Sequence, residues 1–420
     1  MKYFFIGIKG VGMTSIATLY KEWGNEVSGS DTQEEFFTDE VLKNLGVSIT
    51  SFDPSFITGD IGMVIYSSAY SADHPQLARA RELGIECMSY AEALANIFNQ
   101  RRGILVTGTH GKTTSTAMLA RVLEDAKFDP TVVCGGELIE WRKTARAGLS
   151  EWFVAEGDEY QAKILLFKPQ ILLLTNIEYD HPDFYPDEES YRAVFQKVLQ
   201  TMPKDGVVVA HKNLHDFVEK FTNAKKIYFG FEEEDIKLSV WGEHNRQNAL
   251  GVLAVAKALG IVEDEALKTL AQFRGTRRRM ELYTSENADV VLIDDYAHHP
   301  TEIRATLAAL RAQYQNRKII AAFQPHTFSR TRTLLDDFAQ AFADADQVII
   351  LDIYASAREL EKSIRGEDLF EAVKKYHTNV LFMKSPQEAI KEVRQILQPG
   401  SVFVTLGAGD AWTIVDQLSK

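Results

Sequence analysis

Three times along this chain an apolar run of strand length turns sharply and continues as an amphipathic helical stretch, which limits the fold to layered α/β architectures. The first instance is "YFFIGIKGVGMTSIATLYKEW", followed by a further strand, "EVSGSD". The second is "GILVTGTHGKTTSTAMLARVLEDA", with later strands "WFVAEGD" and "ILLLTNIEYDH". The third opens at "VVLIDDYAHHPTEIRATLAALRAQY" and continues through "KIIAAFQ", "QVIILDIYA" and "SVFVTLGAGD". Strands joined through helices pair in parallel, so each instance reads as the start of its own parallel sheet. A chain of 420 residues is too long for one core. Basic stretches at Asn99–Gly103 and Phe273–Met280 divide it into expected domains at residues 1–100, 101–275 and 276–420.

Composition removes several functional classes. No apolar stretch approaches the roughly 20 residues of a membrane span, and the apolar run in "MKYFFIGIKG" is too short for a signal peptide. Two cysteines, Cys87 and Cys134, cannot build a disulfide framework and suit a reducing compartment. A formal charge of −13 opposes general nucleic-acid binding, which needs a basic face. The expectation is a cytoplasmic globular protein with no membrane or nucleic-acid partner, able to bind anions locally.

The strongest local signal is "GTHGKTTST" at residues 108–116, after the apolar run Ile104–Val106. Backbone N–H groups of a glycine turn that opens onto a helix form an anion cradle. Gly108 and Gly111 keep side chains out of that cradle, Lys112 adds a cation, and Thr113 adds a hydroxyl suited to Mg²⁺. The full pattern G-x-x-x-x-G-K-[ST] requires glycine where Val106 stands, so the match is to a shortened variant. The stretch reads as an ATP site.

"GIKGVG" (Gly7–Gly12) also joins a strand to a helix, and Asp31 ends the next strand. This approaches a dinucleotide fingerprint, but Lys9 stands where G-x-G-x-x-G needs glycine. A nucleotide or pyrophosphate ligand, NAD, and a plain turn all remain open for it. Ser67 and Ser68 follow a third strand and read either as ligand contacts or as caps.

Glu156, Asp158 and Glu159 follow one central strand, and Glu178, Asp180 and His181 follow another. In an open parallel sheet these strand ends share an edge with the phosphate loop, where carboxylates and an imidazole can hold Mg²⁺. Asn245 and Asn248 lie three apart on one helix face. "RGTRRRM" offers arginines near a domain junction. "DDYAHHPTE" and "FQPHTFSRTR" place Asp294, Asp295, His298, His299, His326, Arg330 and Arg332 after two strands of the third region, a pattern suited to a small anion or carboxylate.

Taken in order, "GTHGKTT", "EGDE", "NIEYDH", "GEHNRQN", "RGTRRRM" and "DDYAHHPTE" resemble the Mur ligase family over nearly the whole chain. The resemblance implies a three-domain Mur ligase architecture: an N-terminal Rossmann-like domain for a UDP-sugar, a central P-loop ATPase, and a C-terminal Rossmann-like domain that brings the amino acid. It implies an ATP-dependent, ADP-forming, amide-bond-forming ligase that uses ATP and Mg²⁺. "GIKGVGM", "FQPHTFSRT", "DIYASARE" and "GAGD" are most similar to the branch that joins L-alanine to the carboxylate of UDP-N-acetylmuramate, through an acyl phosphate, in peptidoglycan precursor synthesis. "EGDEY" is similar to the branch that attaches a recycled tripeptide, which stands as the alternative. A nicotinamide-dependent oxidoreductase and a non-catalytic nucleotide-binding regulator are more distant alternatives.

By the same resemblance, Lys112, Glu156, His181, Arg279 and Asp295 would be catalytic. Gly108, Thr109, His110, Gly111, Lys112, Thr113, Thr114, Asn245, Asn248, Arg279 and Asp295 would bind ATP, and Thr113, Glu156 and His181 the metal. Gly10, Gly12, Asp31 and Ser68 would face the UDP-sugar; Tyr296, His298 and Arg330 would face the amino acid. The expected assembly is a monomer or homodimer. The chain departs from the family pattern at Lys9, at Met280, which replaces an aromatic, and at Thr327, which replaces an arginine of some relatives. Lys197 stands where a carbamylated lysine of several relatives is conceivable.

Overall fold

The computed structural model describes residues 1–34, 36, 38–230, 236–284, 289–355 and 363–420. They form three sheets, and each contains one of the strand–turn–helix instances read from the sequence; in the third, the short strand Glu281–Tyr283 precedes it.

The first sheet is fully parallel, with strands in the order Ser48–Thr50, Glu26–Ser30, Lys2–Ile6, Met63–Tyr66 and Glu86–Ser89. The second runs Lys225–Phe229, Val207–His211, Ile171–Leu174, Arg102–Thr107, Trp152–Glu156, Thr131–Leu138 and Lys143–Arg146, with only the last pair antiparallel. The third runs Glu281–Tyr283, Val291–Asp295, Ser401–Leu406, Lys318–Phe323, Gln347–Leu351 and Val380–Met383, with its first pair antiparallel.

Near-continuous apolar runs are what a sheet covered by helices on both faces demands. In the strand Lys318–Phe323, Ile319, Ala321 and Phe323 enter one buried cluster while Ile320 and Ala322 enter the cluster on the opposite face. Alternation along a strand therefore divides the residues between two cores.

By contacts the chain forms two compact units. The first holds Met1–Glu178, Arg192–Lys237 and Asn248–Arg274, and so contains the first two sheets. The second holds Tyr179–Tyr191, Leu238–Gln247 and Gly275–Lys420. Two short segments from the middle of the sequence, one carrying Asp180 and His181, thus group with the C-terminal sheet. Among the described residues no helix is long and apolar enough to cross a membrane.

The first two sheets meet at the helix Tyr90–Phe98, which Ser89 and Glu92 start with a capping box. Its last residue, Phe98, is fully buried against Phe153 and Phe167. A Cβ on Gly103, at the start of the next strand, would lie 2.2 Å from the Phe98 ring. Gly103→Ala should therefore overpack this joint and cost about 1–3 kcal/mol. A urea titration of wild type and variant would read this as a lowered midpoint, and an unchanged midpoint would contradict the packing described.

Candidate active site

In the first unit, the strand Arg102–Thr107 is flanked on one side by Ile171–Leu174 and on the other by Trp152–Glu156. The carboxyl ends of these three strands form one edge, where the connections diverge to both sides and open α/β sheets bind ligands. The loop Gly108–Gly111 leaves the middle strand there and enters the helix Lys112–Asp125. Gly108 has φ +133° and Gly111 φ +79°, conformations that favour glycine. A Cβ on Gly108 would lie 2.2 Å from Thr175 Oγ1, and one on Gly111 2.2 Å from Asn248 Oδ1. Any side chain at either position would push against the residues that pack on the loop.

The loop is held by the segment that follows the neighbouring strand. Thr109 N–H donates to Asn176 O at 3.2 Å, and His110 N–H to Asn176 Oδ1 at 2.9 Å. Asn176 Nδ2 and Thr175 Oγ1 both donate to His110 O, at 3.0 and 2.7 Å. Thr109 Oγ1 donates to Glu178 O at 2.8 Å and accepts from Glu178 N–H at 2.9 Å.

Lys112 Nζ donates to Gly108 O at 2.6 Å and Thr109 O at 2.8 Å, and pairs with Glu159 at 2.9 Å. Burial alone would lower its pKa; Glu159, with Glu156 and Asp158, outweighs that and holds it above the ordinary lysine value. The ammonium is therefore a fixed charge. Thr113 Oγ1 donates to Glu156 Oε1 at 2.9 Å, and Gly135 N–H to Glu156 Oε2 at 2.6 Å. Hydroxyl and carboxylate oxygens side by side are hard donors of the kind Mg²⁺ prefers, so these residues fit that ion. Thr114 is buried on the same helix.

The N-terminal turn also belongs to the first unit. Gly7 has φ +80°, and a Cβ there would meet the Tyr70 ring at 2.5 Å. Gly10 begins the helix Val11–Glu22 with no side-chain cap, leaving its first N–H groups directed at the turn. A Cβ on Gly12 would lie 2.5 Å from the ring of Tyr90. The Asp31 carboxylate accepts from Lys9 N–H at 2.6 Å and Thr32 N–H at 2.7 Å, so it fixes the turn. The Lys9 side chain folds away to Glu34 O at 2.7 Å and Asp39 at 3.1 Å. Ser68 is exposed just past the strand Met63–Tyr66.

The second unit carries the other predicted residues. Asp295 Oδ2 accepts from Met280 N–H at 2.7 Å and Oδ1 from Ala297 N–H at 2.8 Å. Burial raises its pKa to about 6, opposed by Arg279. Arg278 and Arg279 each lie 5.0 Å from the centre of the Tyr296 ring. His298 Nδ1 lies 3.0 Å from Tyr296 O and 3.4 Å from Glu302. Burial lowers the His298 pKa to about 4, with Glu302 opposing, so the ring is neutral near pH 7. Arg330 donates from Nε to Asp180 Oδ1 at 2.8 Å and from Nη2 to Oδ2 at 3.2 Å. Asn245 Nδ2 donates to Trp241 O at 2.7 Å, as a residue near a helix start often does.

The structure thus gathers the phosphate loop, Glu156 and Asn248 in one unit, and His181, Arg279, Asp295, Tyr296, His298 and Arg330 in the other. Lys197 is exposed on the helix Glu188–Gln200. In "DIYASARE", the residues from Ser356 to Glu359 lie outside the described residues. Sequence reasoning missed Gly135, where a Cβ would meet Glu156 Oε2 at 2.5 Å, although the glycine pair in "VCGGE" was a usable signal. It also missed Asn176 as the clasp of the loop, Tyr90 beside Gly12, and Glu302, whose carboxylate accepts from His298 N–H at 2.9 Å.

The Mur ligase family catalytic domain pattern matches residues 2–102, the Mur ligase middle domain residues 106–237, and the Mur ligase glutamate ligase domain residues 278–409. A protein of Desulfitobacterium hafniense (strain Y51) called UDP-N-acetylmuramate–L-alanine ligase is 37% identical over 447 residues, covering 99% of this chain and 98% of that one. Its namesake from Dictyoglomus turgidum is 35% identical, covering 99% and 95%. The crystal structure of UDP-N-acetylmuramate-alanine ligase MurC from Thermotoga maritima superposes with a TM-score of 0.83 at 28% identity, covering 100% and 98%.

The neutral state of His298 has a measurable consequence. Its folded pKa lies below the unfolded value of about 6.5, so between pH ~4 and ~6.5 the unfolded chain binds a proton that the folded chain does not. Its contribution to stability is complete above that window and is lost as pH falls through it. Asp295 titrates the opposite way in the same range, so the difference between wild type and His298→Gln isolates the effect. That difference in unfolding free energy should rise by on the order of 3 kcal/mol across the window. A pH-independent difference would contradict the neutral imidazole.

Proposed function

The chain belongs to the Mur ligase family, and on that premise we propose that it joins L-alanine to the carboxylate of UDP-N-acetylmuramate in peptidoglycan precursor synthesis. It is an ATP-dependent, ADP-forming amide ligase with the three-domain architecture of its family. The observation that carries the reading is the Gly108–Thr113 loop at the divergent edge of the second sheet, with Lys112 and Glu156 beside it. Relatives named for L-alanine, similar over their whole length, favour alanine over the tripeptide. The phosphate loop leaves a nicotinamide oxidoreductase without a use for it.

The reaction needs activation because a carboxylate is anionic and lacks a leaving group. Transfer of the γ-phosphoryl group to a carboxylate oxygen gives an acyl phosphate; the neutral amine of L-alanine then attacks the acyl carbon and phosphate departs. Lys112 and the backbone N–H groups of the loop would stabilise charge on the phosphoryl oxygens. Thr113, Glu156 and His181 are the proposed Mg²⁺ ligands; Mg²⁺ would neutralise phosphate charge when bound. Gly108, Thr109, His110, Gly111 and Thr114 would line the ATP phosphates, and Asn245 and Asn248 the adenine. Arg279 and Asp295 are further proposed nucleotide contacts. Gly10, Gly12, Asp31 and Ser68 would serve the UDP-sugar, the last three through the turn they shape or border.

Tyr296, His298 and Arg330 are proposed for the amino acid. With His298 Nδ1–H directed at Tyr296 O, its Nε2 is the acceptor nitrogen, and this weakly basic ring or a neighbouring carboxylate would take the amine proton. Domain bounds at 1–100, 101–275 and 276–420, a cytoplasmic location and a monomeric or dimeric state complete the proposal.

The test supplies purified protein with ATP, Mg²⁺ and UDP-N-acetylmuramate, and compares L-alanine with the tripeptide by phosphate release. L-Alanine should drive turnover and the tripeptide should not. Lys112→Ala should lower turnover by at least about 10²-fold while circular dichroism stays unchanged. Turnover with the tripeptide alone, or near-wild-type turnover in Lys112→Ala, would overturn the reading.

A further inference from the structure

The Asp180–Arg330 pair is more than a neutralised charge. Both side chains are 5% exposed, and both oxygens of Asp180 are taken by the Nε–Nη2 edge of the guanidinium. Burial works against ionised Asp180, but Arg330, with His181 and His298, holds its carboxyl well below the usual range. The same Oδ1 that accepts from Arg330 Nε accepts from His181 N–H at 2.7 Å. His181 has φ +57°, a left-handed conformation that a non-glycine residue keeps only where its surroundings over-determine it. On its other side, Phe184 N–H and Tyr185 N–H donate to His181 O at 3.0 and 2.9 Å. The backbone of His181 is thus pinned at both ends, and one pin is a carboxylate clamped by an arginine 150 positions away.

Among the described residues the Arg330 side chain has one further hydrogen bond, Nη1 to His326 O at 3.4 Å. The Nε–Nη2 edge is committed to Asp180, and the outer Nη1–Nη2 edge is the part that could meet an incoming amino acid.

We infer that Arg330 is a positioning residue: through Asp180 it sets the backbone, and so the imidazole, of His181 toward a divalent cation. The inference rests on the reading that His181 faces that cation. It gives the amino-acid region a direct mechanical link to the metal-facing loop. Lysine at position 330 would keep the charge and lose the fork, so it should fail where a simple cation would succeed.

The test measures Mn²⁺ affinity in the presence of ADP, by electron paramagnetic resonance of free Mn²⁺, beside kcat and the KM for L-alanine. Arg330→Lys and Asp180→Asn should each weaken Mn²⁺ binding by about 10-fold and lower kcat by a similar factor, the size typical of lost support behind a metal ligand. In Asp180→Asn, which keeps the Arg330 guanidinium for the amino acid, the KM for L-alanine should move less than about threefold. Each single variant leaves a buried partner charge, so the charge-free Asp180→Asn/Arg330→Gln variant is measured with them. It should bind Mn²⁺ no more tightly than the single variants. Wild-type Mn²⁺ affinity in the double variant, or a raised KM for L-alanine in Arg330→Lys with Mn²⁺ affinity intact, would overturn the inference. His181→Ala separates the two readings. If it weakens Mn²⁺ binding while the Asp180 and Arg330 variants do not, only the positioning role fails; if it leaves Mn²⁺ binding unchanged, the underlying reading of His181 fails with it.

Discussion

The proposed phosphate contacts of the first unit depend on the hydrogen bonds that hold Thr109 and His110 against Thr175, Asn176 and Glu178. A glycine loop without such a clasp has too many conformations to present its N–H groups in one direction. Here neighbouring parallel strands end together, so the segment after one strand becomes the wall for the loop after the next. The loop's carbonyls are satisfied by Thr175, Asn176 and Lys112, which leaves N–H groups at the helix start as the polar groups turned toward a ligand. Preorganisation of this kind lets weak dipoles stabilise a transferring phosphoryl group.

Charge is handled alike in both units. The protein carries a formal −13, yet both nucleotides it is proposed to bind are anions. Cations at the sites are therefore few, fixed and individually paired. Lys112 rests against Glu159, Arg278 against Asp294, and Arg330 against Asp180. Each pair keeps a buried cation from costing the fold heavily, and each orients the donor that remains. His298 stays neutral near pH 7 because burial outweighs the pull of the Glu302 carboxylate.

Much of this architecture was legible because it is local. Each strand–turn–helix instance is contiguous, and so is the phosphate loop with its two left-handed glycines. Strands such as Ser48–Thr50 and the pair Thr131–Leu138 and Lys143–Arg146 were not named, because their sequences carry little apolar alternation. Contacts across long separations were invisible in principle. Nothing in "NIEYDH" indicates that Asp180 will meet Arg330, or that its segment groups with the C-terminal sheet. Asp31 was read as a ligand-facing acid; the structure shows its carboxylate bonded to the backbone of the turn. The lysine at position 9 looked like a departure at the pyrophosphate turn, yet its side chain leaves the turn for Glu34 and Asp39.

The central claim is that the carboxylate of the sugar nucleotide itself attacks the terminal phosphorus of ATP. Isotope transfer tests this directly. UDP-N-acetylmuramate labelled with ¹⁸O in its carboxylate is turned over with ATP and L-alanine, and the released phosphate is analysed by mass. An acyl phosphate requires one labelled oxygen to pass into phosphate at each turnover. Phosphate released without label, while the amide still forms, would contradict the account.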